Sequence, residues 1–235
     1  MRIKTSNLLV LLGLAMFAVA LIASTLRLRQ EAVKVDFSDP YRNYQKIELP
    51  AFRRLVLRTG YADSSMNPYF MRRARFKTQI SSAEKPMLLL LKQVSDSLRW
   101  DVKDGTLTLS GFNRKVELDP ETAVLMLRVP ALNLVEASGA AVSFEEFQAD
   151  SLQLQLAPAS TAEISQSRIG YLQLRVEDRS DATIQPGTSI QAMHAELKRR
   201  ATLNCNDVLP GAFTHEVSPE AEITVKGRAT ALFLR

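Results

Sequence analysis

The chain has 235 residues, of which 46% are hydrophobic and 23% charged, with a formal net charge of +5. This composition excludes an intrinsically disordered chain, because the apolar fraction is ample for a folded core. The charge is uneven: the first 130 residues hold 21 Lys and Arg against 12 Asp and Glu, and the remainder hold 9 against 13. No nucleic-acid partner is expected, because no recognised motif or aromatic-interleaved basic groove accompanies the positive charge. Proximity to anionic lipid headgroups would explain it better.

An apolar stretch opens the chain. Twenty-two uncharged residues lie between Lys4 and Arg27, and residues 8–26 are almost wholly apolar. That is long enough to cross a bilayer as a helix. The sequence predicts a signal anchor over residues 1–29 and a single-pass position in the cytoplasmic membrane. The C-terminal domain would then be periplasmic or extracellular. A cleaved signal peptide, with a site near 18–20, is the alternative.

The middle of the chain predicts short β elements. Residues 30–45 are polar and predict a tether, and the alternation over 46–58 predicts the first strands. Residues 61–82 show no clean period and carry a basic cluster. Residues 86–98 predict a short helix with proline in its first turn. Asp104-Gly105 predicts the tight turn of a hairpin over 98–109. We expect residues 46–130 to begin and cap the domain.

Residues 131–235 form a ladder of five segments with a period of about 20 residues. The first strand of each segment gives three predicted columns: Leu132, Leu152, Leu172, Met193 and Phe213; Leu134, Leu154, Leu174, Ala195 and His215; Glu136, Leu156, Val176, Leu197 and Val217. The second gives two: Val142, Ala162, Ala182, Ala201 and Ala221; Phe144, Ile164, Ile184, Leu203 and Ile223. The sequence therefore predicts an all-β fold, a parallel β-solenoid with coils of about 20 residues. An antiparallel sandwich is the alternative, but the recurring small residues favour stacked coils.

One part of the ladder resembles a known family. The run from Met126 to Phe144, MLRVPALNLVEASGAAVSF, resembles the core signature of the GIN domain, also named the auto-transporter adhesin head domain. The resemblance covers roughly residues 46–234. It implies an extracytoplasmic β-solenoid, common in Bacteroidetes-type bacteria, without an established activity. The chain departs from the family pattern because only Ser138-Gly139-Ala140 is intact among the coils.

The candidate catalytic and metal-binding groups do not converge. Acids and bases alternate over 175–181, and Lys198, Arg199 and Arg200 follow one coil later. This pattern is typical of ion pairs at a solvated turn rather than of catalytic carboxylates. His194 and His215 are one repeat apart but belong to opposite faces, so a metal pair is not expected. Cys205 is expected to be a small core residue. The sequence predicts no enzyme and no cofactor.

The leading hypothesis is a membrane-anchored structural or protein-interaction module of the bacterial envelope. The first alternative is an adhesin-like protein that binds surface glycan or cell-wall polymer through aromatic residues at turns. A polysaccharide-acting enzyme and a β-helix that polymerises end to end are further alternatives. The predicted interaction surface comprises Arg72, Arg73, Arg75, Lys77, Phe147, Tyr171, Lys198, Arg199 and Arg200.

Overall fold

The computed structural model describes residues 5–33, 39–58, 77–111, 123–228 and 230, and, within the N-terminal helix, the side chains of residues 12–27. The chain divides into two compact units, residues 1–43 and residues 44–235. The first unit contains helix α1, Thr5–Val33. In its described residues, the second unit contains strands and a short 3₁₀ helix, Lys92–Ser97.

Helix α1 occupies the stretch for which the sequence predicts a membrane anchor. In the described part of the chain, however, no helix is both long enough and apolar enough to cross a membrane. The prediction of a single-pass protein of the cytoplasmic membrane, anchored through residues 8–26, is therefore wrong.

The second unit is predominantly β, as the sequence predicts. Its strands are β1 Tyr44–Glu48, β2 Arg54–Arg58, β3 Lys77–Ser82, β4 Met87–Leu91, β5 Arg99–Lys103, β6 Thr106–Ser110, β7 Ala123–Val129, β8 Leu134–Ser138, β9 Ala141–Glu145, β10 Gln148–Leu156, β11 Thr161–Ser165, β12 Arg168–Val176, β13 Asp181–Ile184, β14 Ser189–Leu197, β15 Thr202–Asn206, β16 Ala212–Val217 and β17 Glu222–Lys226. They form a nine-stranded sheet in the order β1-β4-β7-β3-β9-β11-β13-β15-β17 and an eight-stranded sheet in the order β16-β14-β12-β10-β8-β2-β6-β5.

Successive strands from β8 onward alternate between the two sheets. Strands β8, β10, β12, β14 and β16 are parallel neighbours in the eight-stranded sheet. Strands β9, β11, β13, β15 and β17 are parallel neighbours in the nine-stranded sheet. Both sheets continue into the preceding region, where β2 lies beside β8 and β3 lies beside β9. Each repeat therefore adds one strand to each sheet and buries its apolar face against its neighbours.

The columns of the eight-stranded sheet agree with the sequence from β10 onward. Leu152, Leu172, Met193 and Phe213 are in register, and the first three are buried. The first segment is displaced by one residue, because Val135 rather than Leu134 lies opposite Leu154. Val135 is fully buried, and the shift moves Glu136 out of the predicted core column. A slip of one residue exchanges the two faces of a strand, so burial of Val135 and Ala137 determines this register.

The columns of the nine-stranded sheet agree with the sequence in the first three segments only. Ala182 lies opposite Leu203 rather than Ala201, and Ile184 lies opposite Cys205 rather than Leu203. The predicted columns are therefore wrong by two residues from β15 onward. Ala201 is instead buried at a corner between the sheets. Leucine fills the core position because it buries more apolar surface there than alanine would.

Small buried residues hold the corner between the two sheets. They are Ala140, Ser160, Ser180 and Ala201. The Ser160 hydroxyl donates to the Ala137 carbonyl at 2.9 Å, and the Ser180 hydroxyl donates to the Ala157 carbonyl at 2.8 Å. Ser180 Oγ also accepts the backbone N–H of Ser160 at 3.1 Å. These bonds satisfy buried backbone groups where the chain leaves one sheet for the other.

The region before the ladder differs from the sequence prediction at one element. The short helix predicted over 86–98 is wrong in its first half, where β4 lies between β1 and β7 in antiparallel pairing. Leu88–Leu91 are all buried, and a short apolar run of this kind suits a buried strand as well as a helix. The predicted hairpin is confirmed, because β5 pairs with β6 and Asp104 and Gly105 adopt φ of 50° and 68°.

Candidate interaction surface

A groove of about 770 Å³ lies on the eight-stranded sheet, at the start of its long strands. Its polar lining includes Arg53, Gln148, Asp150, Ser151, Arg168 and Gln191. Arg53 directly precedes β2, and the other five belong to β10, β12 and β14. The groove therefore extends over several neighbouring strands.

A repeated irregularity in the strands forms part of the lining. The pairing of β10 with β12 passes from Ala149 opposite Ile169 to Ser151 opposite Tyr171, and it omits Asp150 and Gly170. A Cβ atom on Gly170 would lie 2.5 Å from the Asp150 carbonyl oxygen. Two strands further along the sheet, a Cβ atom on Gly211 would lie 2.7 Å from the Gln191 carbonyl oxygen. Glycine is thus required because the backbone of the neighbouring strand approaches too closely for a side chain.

The charged groups of the groove are available to a ligand. Neither Arg53 nor Arg168 forms an ion pair with any residue that the structure describes, and Asp150 also has no such partner there. Two guanidinium groups against one carboxylate give this lining a balance of +1. The lining therefore offers hydrogen-bond donors in a fixed geometry to a neutral or anionic polar ligand.

Tyr171 stands beside this groove. It follows Gly170 and lies opposite Ser151, and both of these residues line the groove. Its side chain is 42% exposed, which is unusual for a large apolar residue within the strands of this unit. The exposed ring predicted from the sequence is thus present, in the middle of β12 rather than at a turn.

Phe147 does not belong to any surface. It is fully buried and packs against Phe144, with 5.3 Å between ring centroids and 57° between ring planes. Glu146 has a φ of 52°, and this left-handed conformation turns the chain so that the following residue points inward. The expectation of an exposed Phe147 ring at a turn is therefore corrected.

Of the predicted basic residues, three follow β14. The Arg200 guanidinium donates to both carboxylate oxygens of Asp178, at 3.1 and 2.9 Å, and Lys198 pairs with Glu196 at 3.2 Å. Arg199 is exposed, with a φ of 42°. Arg175 pairs with Glu177 at 2.9 Å. The charges of this turn neutralise one another, as the sequence pattern indicates.

The remaining basic residues lie in or after the segment that precedes β3. Arg72, Arg73 and Arg75 are outside the described residues, and Lys77 is the first residue of β3. Lys77 lines a smaller pocket on the outer face of the nine-stranded sheet. The structure therefore separates Lys77 from Tyr171, because the two residues belong to different sheets.

The two histidines lie on neighbouring strands, and the cysteine lies in the core. His215 lies opposite the buried Ala195, as predicted, but on the edge strand β16 it is exposed, and its ring stacks on Phe213 at 5.2 Å between ring centroids. The His194 ring Nδ1 lies 2.9 Å from the Thr214 hydroxyl on the outer face. Cys205 is fully buried, and burial raises the pKa of its thiol to about 11. Within the described ranges, no group of three His, Cys, Asp or Glu residues could hold a metal ion.

The sequence patterns do not predict the groove. Its residues come from separate segments, and Arg53 precedes the ladder altogether. One signal could have indicated it. Gly170 and Gly211 interrupt otherwise regular strand patterns at corresponding positions, and a glycine inside a strand marks a bulge or a close backbone approach.

No protein-family model and no curated protein matches the chain. Several solved structures are similar to it. One is a putative adhesin from Bacteroides fragilis with 11% identity and a TM-score of 0.47; the match covers 78% of this chain and 96% of that chain. Another is a putative adhesin from Parabacteroides distasonis with 10% identity and a TM-score of 0.45; the match covers 78% of this chain and 94% of that chain. A putative cell adhesion protein from Clostridium sporogenes has 10% identity, coverage of 78% of this chain and 98% of that chain, and a TM-score of 0.31. Membership of the GIN domain family stays a prediction, and likenesses this distant carry no argument about function.

Proposed function

We propose that the second unit is a β-solenoid that works as a non-enzymatic, adhesin-like binding module and holds an extended glycan in the groove of the eight-stranded sheet. The observation that carries the proposal is a groove of about 770 Å³, lined by polar side chains, with an exposed tyrosine beside it. Volumes of this order are typical of ligand-binding clefts. A structural or protein-interaction module, the leading hypothesis from sequence, requires no such groove.

The chemistry of the lining favours a sugar polymer. Arg53, Gln148, Asp150, Arg168 and Gln191 offer both donors and acceptors, which matches a ligand that carries many hydroxyl groups. The guanidinium groups of Arg53 and Arg168, which pair with no described carboxylate, favour a chain that contains carboxylates, such as a uronic acid polymer. The Tyr171 ring supplies an apolar face with a polar tip, on which a sugar ring can pack.

The same lining favours binding over cleavage. Most glycoside hydrolases place two carboxyl groups on either side of the scissile bond. Asp150 is the one carboxylate among the described residues that line this groove. The groove therefore offers one acid where that reaction uses two.

The test is a binding titration of the full chain against oligogalacturonate and a neutral cello-oligosaccharide. Arg168→Gln should weaken oligogalacturonate binding about 10-fold or more, because a hydrogen bond to a charged group contributes roughly 1.5–3 kcal/mol. Tyr171→Ala should weaken binding of any sugar that the wild type holds, about 2- to 10-fold, from an aromatic contact of roughly 0.5–1.5 kcal/mol.

Arg199→Gln is the matched control, because Arg199 is exposed at a turn outside the groove lining. The affinity of the Arg199→Gln protein for each sugar should equal that of the wild type. Binding should also weaken as salt screens the arginine contacts. Failure of both sugars to bind, equal affinity in all three variants, or shortening of the oligosaccharide during incubation would contradict the proposal.

A further inference from the structure

A second pocket lies on the outer face of the nine-stranded sheet and has a volume of about 340 Å³. Its polar lining is Lys77 and Gln79 from β3, Ser143 and Glu145 from β9, and Glu163 and Ser165 from β11. These three strands are adjacent in the sheet. The register places Ser143 between Gln79 and Glu163.

The Ser143 hydroxyl is the unusual group of this pocket. Ser143 is 9% exposed, and its Oγ atom has no hydrogen-bond partner among the residues that the structure describes. A buried hydroxyl without a partner destabilises a fold by roughly 1–3 kcal/mol. Such a group calls for an explanation, and a ligand that supplies the missing hydrogen bond is one.

The other side chains are held in fixed positions. The Gln79 side-chain amide donates to the Glu145 carboxylate, and the Gln185 amide donates to Glu163 Oε1 at 2.7 Å. The Ser165 hydroxyl donates to the Phe144 carbonyl at 3.2 Å. Each carboxylate therefore keeps one oxygen available as an acceptor, on a side chain that a neighbour already orients.

Opposite charges lie at opposite ends of the pocket. Lys77 lies opposite Ala141, which lies opposite Thr161, and Glu163 is two residues further along β11. Two strand spacings and two residues separate the Cα atoms of Lys77 and Glu163 by about 12 Å. No ion pair joins Lys77 to any residue among those described. The two long side chains leave room between their charged ends for a small dipolar molecule, with the Ser143 hydroxyl between them.

We propose that this pocket binds a small zwitterion of the amino-acid class. The ammonium group of the ligand lies between Glu145 and Glu163, its carboxylate pairs with Lys77, and the Ser143 hydroxyl hydrogen-bonds to it. One lysine against two glutamates leaves the empty pocket with a balance of −1. The two carboxylates would repel a simple anion, and the lysine would repel a simple cation. A zwitterion satisfies both ends.

The test is an NMR titration of the full chain with glycine, against acetate, methylammonium and methyl glucoside as separate probes. Glycine should give saturable shifts of the β9 and β11 amides, with a millimolar dissociation constant, whereas each half-molecule should bind at least 10-fold more weakly. Ser143→Ala and Glu163→Gln should each weaken glycine binding 5-fold or more. Thr183→Ala, on the outer face of the next strand, should leave it unchanged.

Ser143→Ala also separates binding from structure. Removal of an unpartnered buried hydroxyl should leave the fold as stable as the wild type or more so. Loss of glycine binding in a fully stable variant is therefore the expected result. Absence of saturable glycine shifts in the wild type, glycine binding unaltered in Ser143→Ala, or saturable binding of methyl glucoside in preference to glycine would each overturn the proposal. None of these outcomes depends on the groove of the other sheet.

Discussion

Gly170 is the position where one added methyl group should reveal how tightly the two strands at the groove are packed. Alanine there would place its Cβ 2.5 Å from the Asp150 carbonyl oxygen, well inside van der Waals contact. The clashing atom belongs to the backbone, so it cannot rotate away as a side-chain atom could. Gly170 does not adopt a positive φ, and alanine therefore pays no conformational penalty. The loss should come from overpacking alone, which costs roughly 1–3 kcal/mol.

Part of that loss is offset in the unfolded chain. Replacement of glycine by alanine lowers the entropy of the unfolded state, which stabilises the fold by about 0.4–1 kcal/mol where the conformation allows it. We expect Gly170→Ala to lower the free energy of unfolding by about 1–2 kcal/mol. Urea denaturation, monitored by circular dichroism, measures this change as a lower midpoint concentration of urea, with an unchanged dependence of the free energy of unfolding on urea concentration.

Gly211→Ala is the matched control. The clash is similar, at 2.7 Å from the Gln191 carbonyl oxygen, but Gly211 directly precedes β16, the edge strand of the eight-stranded sheet. An edge strand can move outward, so the loss should be smaller than at Gly170. A Gly170→Ala protein as stable as the wild type, or a larger loss at Gly211, would refute the reasoning.

Three further predictions concern the two sheets and the corners between them. Ser180→Ala should lower the free energy of unfolding by about 1–3 kcal/mol in urea, because it leaves buried partners of two hydrogen bonds unsatisfied; no loss would contradict the role of the corner serines. Ala159→Gly should stabilise the protein by roughly 0.5–1 kcal/mol, since Ala159 has a φ of 62°, which glycine adopts without strain. As the control, Ala141→Gly in β9 should destabilise it by a similar amount. A less stable Ala159→Gly protein than Ala141→Gly protein in urea would refute this prediction. The pKa of the Cys205 thiol is raised by burial from 9.0 to about 11. The stability that the neutral thiol contributes is complete below pH 9 and is lost as the pH rises towards 11, by on the order of 2 kcal/mol. Between pH 9 and pH 11, the urea midpoint of unfolding should therefore fall more steeply with pH in the wild type than in Cys205→Ala. Parallel profiles of midpoint against pH would contradict this prediction.

The sequence predicts the core of the ladder where period and alternation agree. Leu152, Leu172 and Met193 can be aligned because one strand of each repeat has the same length and the same buried face. The alignment fails where turn lengths decide the register. Ala201 resembles Ala182 in size, yet the step between equivalent positions of β13 and β15 is one residue longer than the repeat before it, and Leu203 takes the core position.

The surfaces could be predicted less well than the core. The sequence predicts Tyr171 at a turn, whereas the structure places it within β12, exposed on the face opposite to the buried Leu172 and Leu174. The sequence also predicts Phe147 at a turn, and this prediction is wrong because the left-handed residue that precedes it is a glutamate, Glu146, rather than a glycine that would mark the turn. The groove and the Ser143 pocket depend on which strands become neighbours. Arg53 and Arg168 meet at one groove only after β2 has joined the eight-stranded sheet beside β8.

The most direct test of the central claim is an NMR titration of the full chain with oligogalacturonate, with amide shifts mapped onto the two sheets. We expect saturable shifts centred on Gln148–Ser151 and Arg168–Tyr171 of β10 and β12, and little change in the amides of β11 and β13. Absence of saturable shifts, or shifts confined to the nine-stranded sheet, would contradict the account.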